Sequence, residues 1–386
     1  MSVARFASAL LASSVMGLAS ADVLDLPIFV KEGYKMVEFG VGTPAQTARL
    51  LFDTGSASAW MVDAECAETC PHVNKGDRFG YNLTASSTGK KTGHDGNIEY
   101  LGGTIIGPTV EDKFSAGGLK WDSKFIAANE STWSSLAADG FMGLAFGSIQ
   151  DGDATPIFES LMEQKLMDKP RFGIYYAAGE YDSTGDKAGK GVVTLGGSRE
   201  DKYVEGDLIS VPLATNNGEF DLWRSIIHST TGKKTDKKCK TGKAEKETEM
   251  NGMSIVFDTG ASAITFPKSM IDSIYESIGM NYTAILKGEH IPLCSEFTKD
   301  WSLTFKIGYY GDEKNVTVRG DQLRLPGFAN RDDACWPPVQ DGPEGYALIG
   351  TLFLRNFYTV WDYSIFPGSD GFNDPHLSFG YLKEGF

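Results

Sequence analysis

Leu51-Phe52-Asp53-Thr54-Gly55-Ser56-Ala57 is answered 205 residues later by Val256-Phe257-Asp258-Thr259-Gly260-Ala261-Ser262. Each copy is an apolar run ending in Asp-Thr-Gly. The run reads as a strand and the Asp-Thr-Gly as the turn that closes it. An aspartate in a tight turn ordinarily bonds its own backbone, and a single copy would imply no more than that. Two copies on matched turns can bring two carboxylates together, and such a pair keeps one proton between them. The pair is then acid and base at once, needing neither metal nor covalent intermediate.

The duplication extends downstream. Phe141-Met142-Gly143-Leu144 follows the first phrase, with Gly143 90 residues after Asp53. Leu348-Ile349-Gly350-Thr351 follows the second, with Gly350 92 residues after Asp258. A repeat of this length implies two related lobes rather than a solenoid of small units. Short β-branched or aromatic runs bounded by Gly, Pro or Asp read as strands: Lys35 to Gly42, Gln46 to Phe52, Gly191 to Leu195, Ser254 to Phe257 and Phe357 to Asp362. Helical spacing is local. Thr155-Pro156 followed by Ile157, Leu161, Met162 and Leu166 reads as one helix, and Pro267 to Ile278 as another. The chain reads as all-β with a few short helices.

With 386 residues, of which 41% are hydrophobic, the chain can fill two ordinary cores. A formal net charge of -15 argues against a nucleic-acid partner. Five histidines, none in an H-E-x-x-H pattern, argue against a metallohydrolase, and no cofactor is expected.

Residues 1–21 read as a signal peptide: Arg5, then small and apolar residues from Phe6, then Ala19-Ser20-Ala21 as a cleavage site. The stretch is short for a membrane span, and no other apolar run reaches 18 residues. A soluble, secreted, extracellular protein is expected. Five cysteines suit an oxidising compartment. Cys66 and Cys70 can close a tight loop and Cys294 and Cys335 a larger one, leaving Cys239 over; spacing alone allows other pairings. Sequons at Asn82, Asn129, Asn281 and Asn315 point to glycosylation. Gly232 to Lys246 carries seven lysines and reads as a solvated surface loop.

On these residues the chain resembles the pepsin-type aspartic endopeptidases, of the fungal secreted type. Asp139-Gly140-Phe141-Met142-Gly143-Leu144-Ala145-Phe146, Ala154-Thr155-Pro156-Ile157-Phe158 and Gly350-Thr351-Leu352-Phe353-Leu354-Arg355-Asn356-Phe357-Tyr358 add to the two Asp-Thr-Gly phrases. The resemblance implies a bilobal pepsin-like fold: a short N-terminal segment at 22–32, an N-terminal lobe with flap at 33–205 and a C-terminal lobe at 206–386. Asp53 and Asp258 would meet as catalytic residues at the base of the cleft between the lobes. Thr54 and Thr259 would bond across the lobes, Ser56 would bond a catalytic carboxylate, and Gly55 and Gly260 would admit close backbone approach. Asn97 to Thr104 resembles the family's flap, with Tyr100 as its tyrosine, Trp60 as the tryptophan whose indole N–H holds it, and Gly102 and Gly103 as its mobile tip. Phe141 and Trp133 are candidates for an apolar substrate pocket. The implied activity is hydrolysis of peptide bonds between bulky apolar residues, by a monomer that pepstatin-like inhibitors would block. The competing reading is an inactive pepsin-like binding or inhibitor protein.

Three departures from the family stand out. Ala261 follows the second Asp-Thr-Gly, where a hydroxyl normally bonds the carboxylate, so the dyad's lower apparent pKa is expected to rise. Thr351 stands where pepsin carries an aspartate; renin lacks both groups and works at milder pH. An optimum above strongly acidic values is therefore expected. Only about a dozen residues separate Ala21 from the first expected strand, too few for the family's basic propeptide, so Val23 to Lys31 is not expected to mask a cleft.

Overall fold

The computed structural model describes residues 23–73, 78–177, 184–235, 243–368, 370–371 and 373–386. The signal-peptide reading of residues 1–21, Cys239 and the centre of the lysine-rich segment lie outside the described residues.

Strands dominate, as the alternating runs imply, and they form two lobes. Each Asp-Thr-Gly stands at the end of a strand, Gln46–Asp53 in the first lobe and Lys243–Phe257 in the second. The downstream phrases are the parallel neighbours of those strands. Gly140–Gly143 pairs with Leu50 to Asp53, and Tyr346–Ile349 pairs with Ser254 to Phe257. The chain then threads closely past the loop that follows the aspartate. A Cβ on Gly143 would lie 2.0 Å from the Ala57 carbonyl oxygen, and one on Gly350 would lie 2.6 Å from that of Ala261. Only glycine fits there, which is why both copies write it.

The strand Leu24–Lys31 lies within the segment set apart at 22–32. Its buried faces alternate at Leu24, Leu26, Ile28 and Val30, and it pairs antiparallel with Thr184–Leu195. It begins ahead of the strand read from Lys35, which spans Tyr34–Val41. From Leu24–Lys31 the sheet passes through Thr184–Leu195 to Arg171–Tyr175, then crosses to Phe357–Asp362, His376–Tyr381 and Ile209–Pro212. Six strands therefore knit the two halves together, joined where Arg171–Tyr175 pairs with Phe357–Asp362. An aromatic core covers the join: Trp223 packs edge-on to Trp361 at 5.2 Å, and Phe172 stacks on Trp361 at 5.8 Å. Backbone at the lobe junction is tied as well, with the Trp223 indole and the Tyr363 phenol both donating to the Leu144 carbonyl, at 2.7 and 3.0 Å.

The helix from Pro267 spans Lys268–Ile278 and ends on Gly279 in the left-handed region, the expected terminator. The helix after Pro156 spans Ile157–Glu163 and stops short of Leu166, because Lys165 turns left-handed at φ 57°. Cys66–Cys70 and Cys294–Cys335 are bonded.

Two carboxylates of the first lobe, Asp139 buried and Glu159 half-buried, have no cation at bonding distance among the described residues. Asp139 accepts from the Arg49 and Phe79 amides at 2.7 and 2.6 Å, and burial pushes its pKa from 3.8 to about 6. Glu159 accepts from the Gly147 amide at 2.9 Å, and burial pushes its pKa from 4.5 to about 7. Both are raised in the folded state, so the unfolded chain loses these protons first and stability falls as pH rises from about 4 to about 7. The shifts correspond to an upper limit of about 3 kcal/mol per group. The denaturant midpoint is expected to drop steadily between pH 4 and 7, and Glu159→Gln should flatten the upper end of that slope. An equal slope in the variant would show that Glu159 is not responsible.

Candidate active site

The two strand ends meet at the floor of a cleft of about 700 Å³, lined by residues of both lobes. What brings them together is a reciprocal set of four hydrogen bonds. The Thr54 amide donates to Thr259 Oγ1 at 3.0 Å, and the Thr259 amide donates to Thr54 Oγ1 at 2.9 Å. Thr54 Oγ1 donates to the Phe257 carbonyl at 3.0 Å, and Thr259 Oγ1 to the Phe52 carbonyl at 2.7 Å. Each threonine hydroxyl is donor and acceptor at once, and both residues are buried. Four satisfied bonds in a dry site fix the relative position of the turns far better than apolar contact would.

That register places Asp53 and Asp258 side by side, sharing a hydrogen bond. Gly55 and Gly260 make room for it. A Cβ on Gly55 would lie 2.6 Å from the Asp258 carboxyl carbon, and one on Gly260 would lie 2.4 Å from Asp53 Oδ1.

The carboxylates are not equivalent. Asp53 Oδ1 accepts from the Gly55 amide at 2.9 Å, and Oδ2 accepts from Ser56 Oγ at 2.5 Å. Asp258 Oδ1 accepts from the amides of Gly260 and Ala261, at 2.7 and 3.1 Å, with no side-chain hydroxyl from residue 261. Burial raises both pKa values. Ser56 and Gly55 pull Asp53 back, whereas the charge of Asp53 drives Asp258 well above the usual carboxylate range. The Ser56 hydroxyl on Asp53, with no side-chain hydroxyl from residue 261 on Asp258, favours the charge on Asp53 and the shared proton on Asp258. This moves one expectation. The hydroxyl missing at Ala261 bears on the group that still holds its proton in the singly ionised pair, so it raises the dyad's upper apparent pKa rather than the lower one.

Thr351 is buried at the start of the short helix Thr351–Leu354, and its amide donates to the Ala261 carbonyl at 2.8 Å. The Lys35 ammonium lies 3.4 Å from its hydroxyl, and burial, with Arg355 nearby, lowers the lysine to about 8.

Above the dyad stands a hairpin of Lys90–Tyr100 and Gly103–Ala116, with Tyr100 opposite Gly103. Tyr100 points down into an aromatic cluster. Its ring centroid lies 5.0 Å from Phe141, 5.9 Å from Trp133 and 6.3 Å from Trp60. Among the described residues neither the Trp60 indole N–H nor the Tyr100 hydroxyl makes a hydrogen bond. The Trp60 indole N–H and Ser56 Oγ nevertheless face the Tyr100 hydroxyl closely enough to favour its ionised form, so Trp60 stands beside the tyrosine as expected, with the full geometry of a hydrogen bond not reached. Gly102 and Gly103 serve close approach: a Cβ on either would lie 2.4 or 3.1 Å from the Trp133 indole.

Several lining residues were not singled out by the sequence reading. Leu51 and Val256 each precede a site aspartate by two positions, so strand alternation aims them at the same face as the carboxylates. That signal was present in both phrases. Tyr34 and Leu222 also line the cleft and carry no motif, and Leu101 lines it from the hairpin segment. Arg224 lines it too, but Asp221 holds its guanidinium through two bonds of 2.8 and 2.7 Å.

The arrangement is a carboxylate pair sharing a hydrogen bond at the floor of a cleft beneath a hairpin. The sequence is similar to those of known proteins. Residues 34–365 match the family model described as eukaryotic aspartyl protease. Pepsin A of Sus scrofa is 28% identical over 363 residues, which cover 91% of this chain and 84% of that protein. Vacuolar protease A of Neurospora crassa is 27% identical over 333 residues, covering 84% and 75%. Renin-2 of Mus musculus is 27% identical over 335 residues, covering 84% and 76%.

Proposed function

Because the chain belongs to the eukaryotic aspartyl protease family, we propose that it is a secreted monomeric endopeptidase that cuts extended polypeptides between bulky apolar residues. Asp53 and Asp258 are its catalytic pair. The observation that carries this reading is the convergence of the two carboxylates, which share a hydrogen bond, at the base of the cleft.

Asp53 takes a proton from a water held between the carboxylates as that water attacks the scissile carbonyl carbon. Asp258 gives its proton to the carbonyl oxygen, so a neutral tetrahedral diol forms. Asp53 then gives its new proton to the amide nitrogen while Asp258 takes one back from a diol hydroxyl, so the C–N bond breaks to a carboxylic acid and an amine and the pair ends as it began. Extended substrate would lie across the cleft beneath the hairpin, with backbone bonds giving affinity and side-chain pockets giving preference. The aromatic wall of Phe141 and Trp133 supports a preference for apolar residues at the cut. The signal-like segment, the two disulfides and the exposure of all four sequon asparagines, Asn82, Asn129, Asn281 and Asn315, support a secreted glycoprotein.

A pH–rate profile on a quenched peptide with two central apolar residues tests the reading. A bell-shaped profile abolished by pepstatin is expected, with its optimum above about pH 3, beyond the lower limb of a pepsin-like dyad. Ala261→Ser returns a donor to the Asp258 carboxylate and should move the alkaline limb down by about one pH unit, the worth of one hydrogen bond. An unmoved alkaline limb would refute the proton assignment. No cleavage by folded protein from about pH 2 to 8 would favour the inactive binding-protein reading, since that window spans both limbs.

A further inference from the structure

The two legs of the hairpin are anchored unequally. The return leg is bonded to the body near its tip: Ile105 and Ile106 pair with Ser131 and Glu130, the Asn129 amide donates to the Ile106 carbonyl at 3.0 Å, and the Thr104 amide donates to Thr132 Oγ1 at 2.7 Å. The outgoing leg, which carries Tyr100, is the edge of its sheet. Its pairing with the return leg slips between Lys91 and Asp95, and Asp95 stands opposite Pro108, which has no N–H to give. Among the described residues, the backbone of residues 95–100 makes one hydrogen bond outside the hairpin: the Asn97 amide donates to the Asp151 carboxylate at 2.7 Å.

Asp151 is itself held in place without using its carboxylate. Its amide donates to Ser58 Oγ at 2.7 Å, and Thr109 Oγ1 donates to the Gly152 carbonyl. Ser58 is buried and lies five residues after Asp53. Asp153 takes the Lys124 ammonium at 2.6 Å and stands 3.8 Å from His94 on the outgoing leg. Backbone meets backbone here. A Cβ on Gly152 would lie 2.7 Å from Gly96 Cα, and one on Gly96 would lie 2.2 Å from the Ile126 side chain. The leg is therefore gripped between Ile126 and the 151–153 loop, next to the residue whose amide bonds Asp151.

We propose that Asp151 is a positioning residue for the reaction: its carboxylate pins the outgoing leg at Asn97 and makes a fulcrum about which the Tyr100 end of the hairpin lifts and settles. This rests on the endopeptidase reading above and adds how that site closes. A covering hairpin must lift to admit an extended chain and then close over it. A leg pinned at one residue can swing beyond the pin without losing its register behind it. Through Ser58 the pin is tied to the loop that follows Asp53, so Tyr100 settles at one height above the pair. Without the pin, closing must order the leg as well as place it, and that cost falls on binding. The Asn97 N–H needs an acceptor there, and a neutral amide oxygen would serve as well as a carboxylate oxygen.

The test compares wild type with Asp151→Ala, which removes the acceptor, and Asp151→Asn, which keeps one. Asp151→Ala should raise KM for the quenched peptide about tenfold with kcat within about threefold, the loss of one hydrogen bond to a charged group expressed in binding. Amide hydrogen exchange of residues 98–104 should quicken about tenfold while that of Leu119–Ala128 is unchanged. Asp151→Asn should restore both. Unaltered KM and exchange in Asp151→Ala, a fall in kcat alone, or faster exchange throughout the lobe would each overturn the pin. So would an Asp151→Asn variant that behaves as Asp151→Ala does. Exchange is read without substrate, so it separates the two claims. The expected exchange pattern with no cleavage by wild type would sink the endopeptidase reading and keep the pin. Cleavage by wild type with exchange unchanged in Asp151→Ala would do the reverse.

Discussion

Asp53→Asn is expected to lower kcat/KM by about 10⁴-fold while leaving the protein folded, because the variant has lost the base that takes the proton from water. The replacement is nearly isosteric. An amide oxygen can keep the bond from the Gly55 N–H, and the amide nitrogen can donate to Ser56 Oγ in place of the bond now running from Ser56 to Asp53. Burial opposes the charge on Asp53, so removing that charge should leave the thermal midpoint unchanged or higher. The two readouts together are diagnostic. Lost activity with an undiminished midpoint identifies Asp53 as chemistry; lost activity with a midpoint several degrees lower would mean that the variant had damaged the site instead. Residual cleavage within about tenfold of wild type would contradict the assigned role outright.

Gly260→Ala is expected to cost about 100-fold or more in kcat/KM, through displacement rather than chemistry. Gly260 does not need a left-handed backbone; it needs room. The added methyl would stand 2.4 Å from Asp53 Oδ1 and 2.8 Å from its carboxyl carbon, so the carboxyl group or the turn must shift. The shift would separate the carboxyl groups, which work only by sharing a proton. Gly55→Ala makes the mirror-image test, against the Asp258 carboxyl at 2.6 Å. If displacement is the cause, both variants should narrow the bell-shaped pH profile, since carboxylates held farther from one another perturb each other less. A full-width profile at reduced height would point to some other defect.

The site was legible where its geometry leaves no choice of residue. Asp-Thr-Gly recurs because the turn needs a carboxylate, a cross-lobe hydroxyl and a residue without a side chain, in that order. Gly143 and Gly350 recur because backbone passes backbone at contact distance. Those demands can be read from a string of letters. The sheet that joins the halves could not be read so, because strand pairing is a property of two segments. Leu24–Lys31 shows a clean alternation, but Pro27 interrupts it and its partner lies far along the chain. The hairpin was legible from Tyr100 and its glycines, whereas the direction of the tyrosine depends on Phe141 and Trp133 converging from elsewhere. Ala261 was seen as a missing hydroxyl, but which carboxylate would keep the proton required the Ser56 bond.

The six-stranded join has a consequence for how the molecule is made. Its central pairing links Arg171–Tyr175 to Phe357–Asp362, and the latter pairs in turn with His376–Tyr381, about 120 residues beyond Asp258. Contacts this remote in sequence close late and slowly. A nascent chain released as far as the first lobe carries Asp53 but no Asp258, and its lone carboxylate is an ordinary acid. Even after Asp258 emerges, the frame that aligns the lobes waits for residues beyond it. Proteolytic power is therefore withheld by topology until residues 357–381 have been made, and a fragment that stops short of them lacks the frame that aligns the pair.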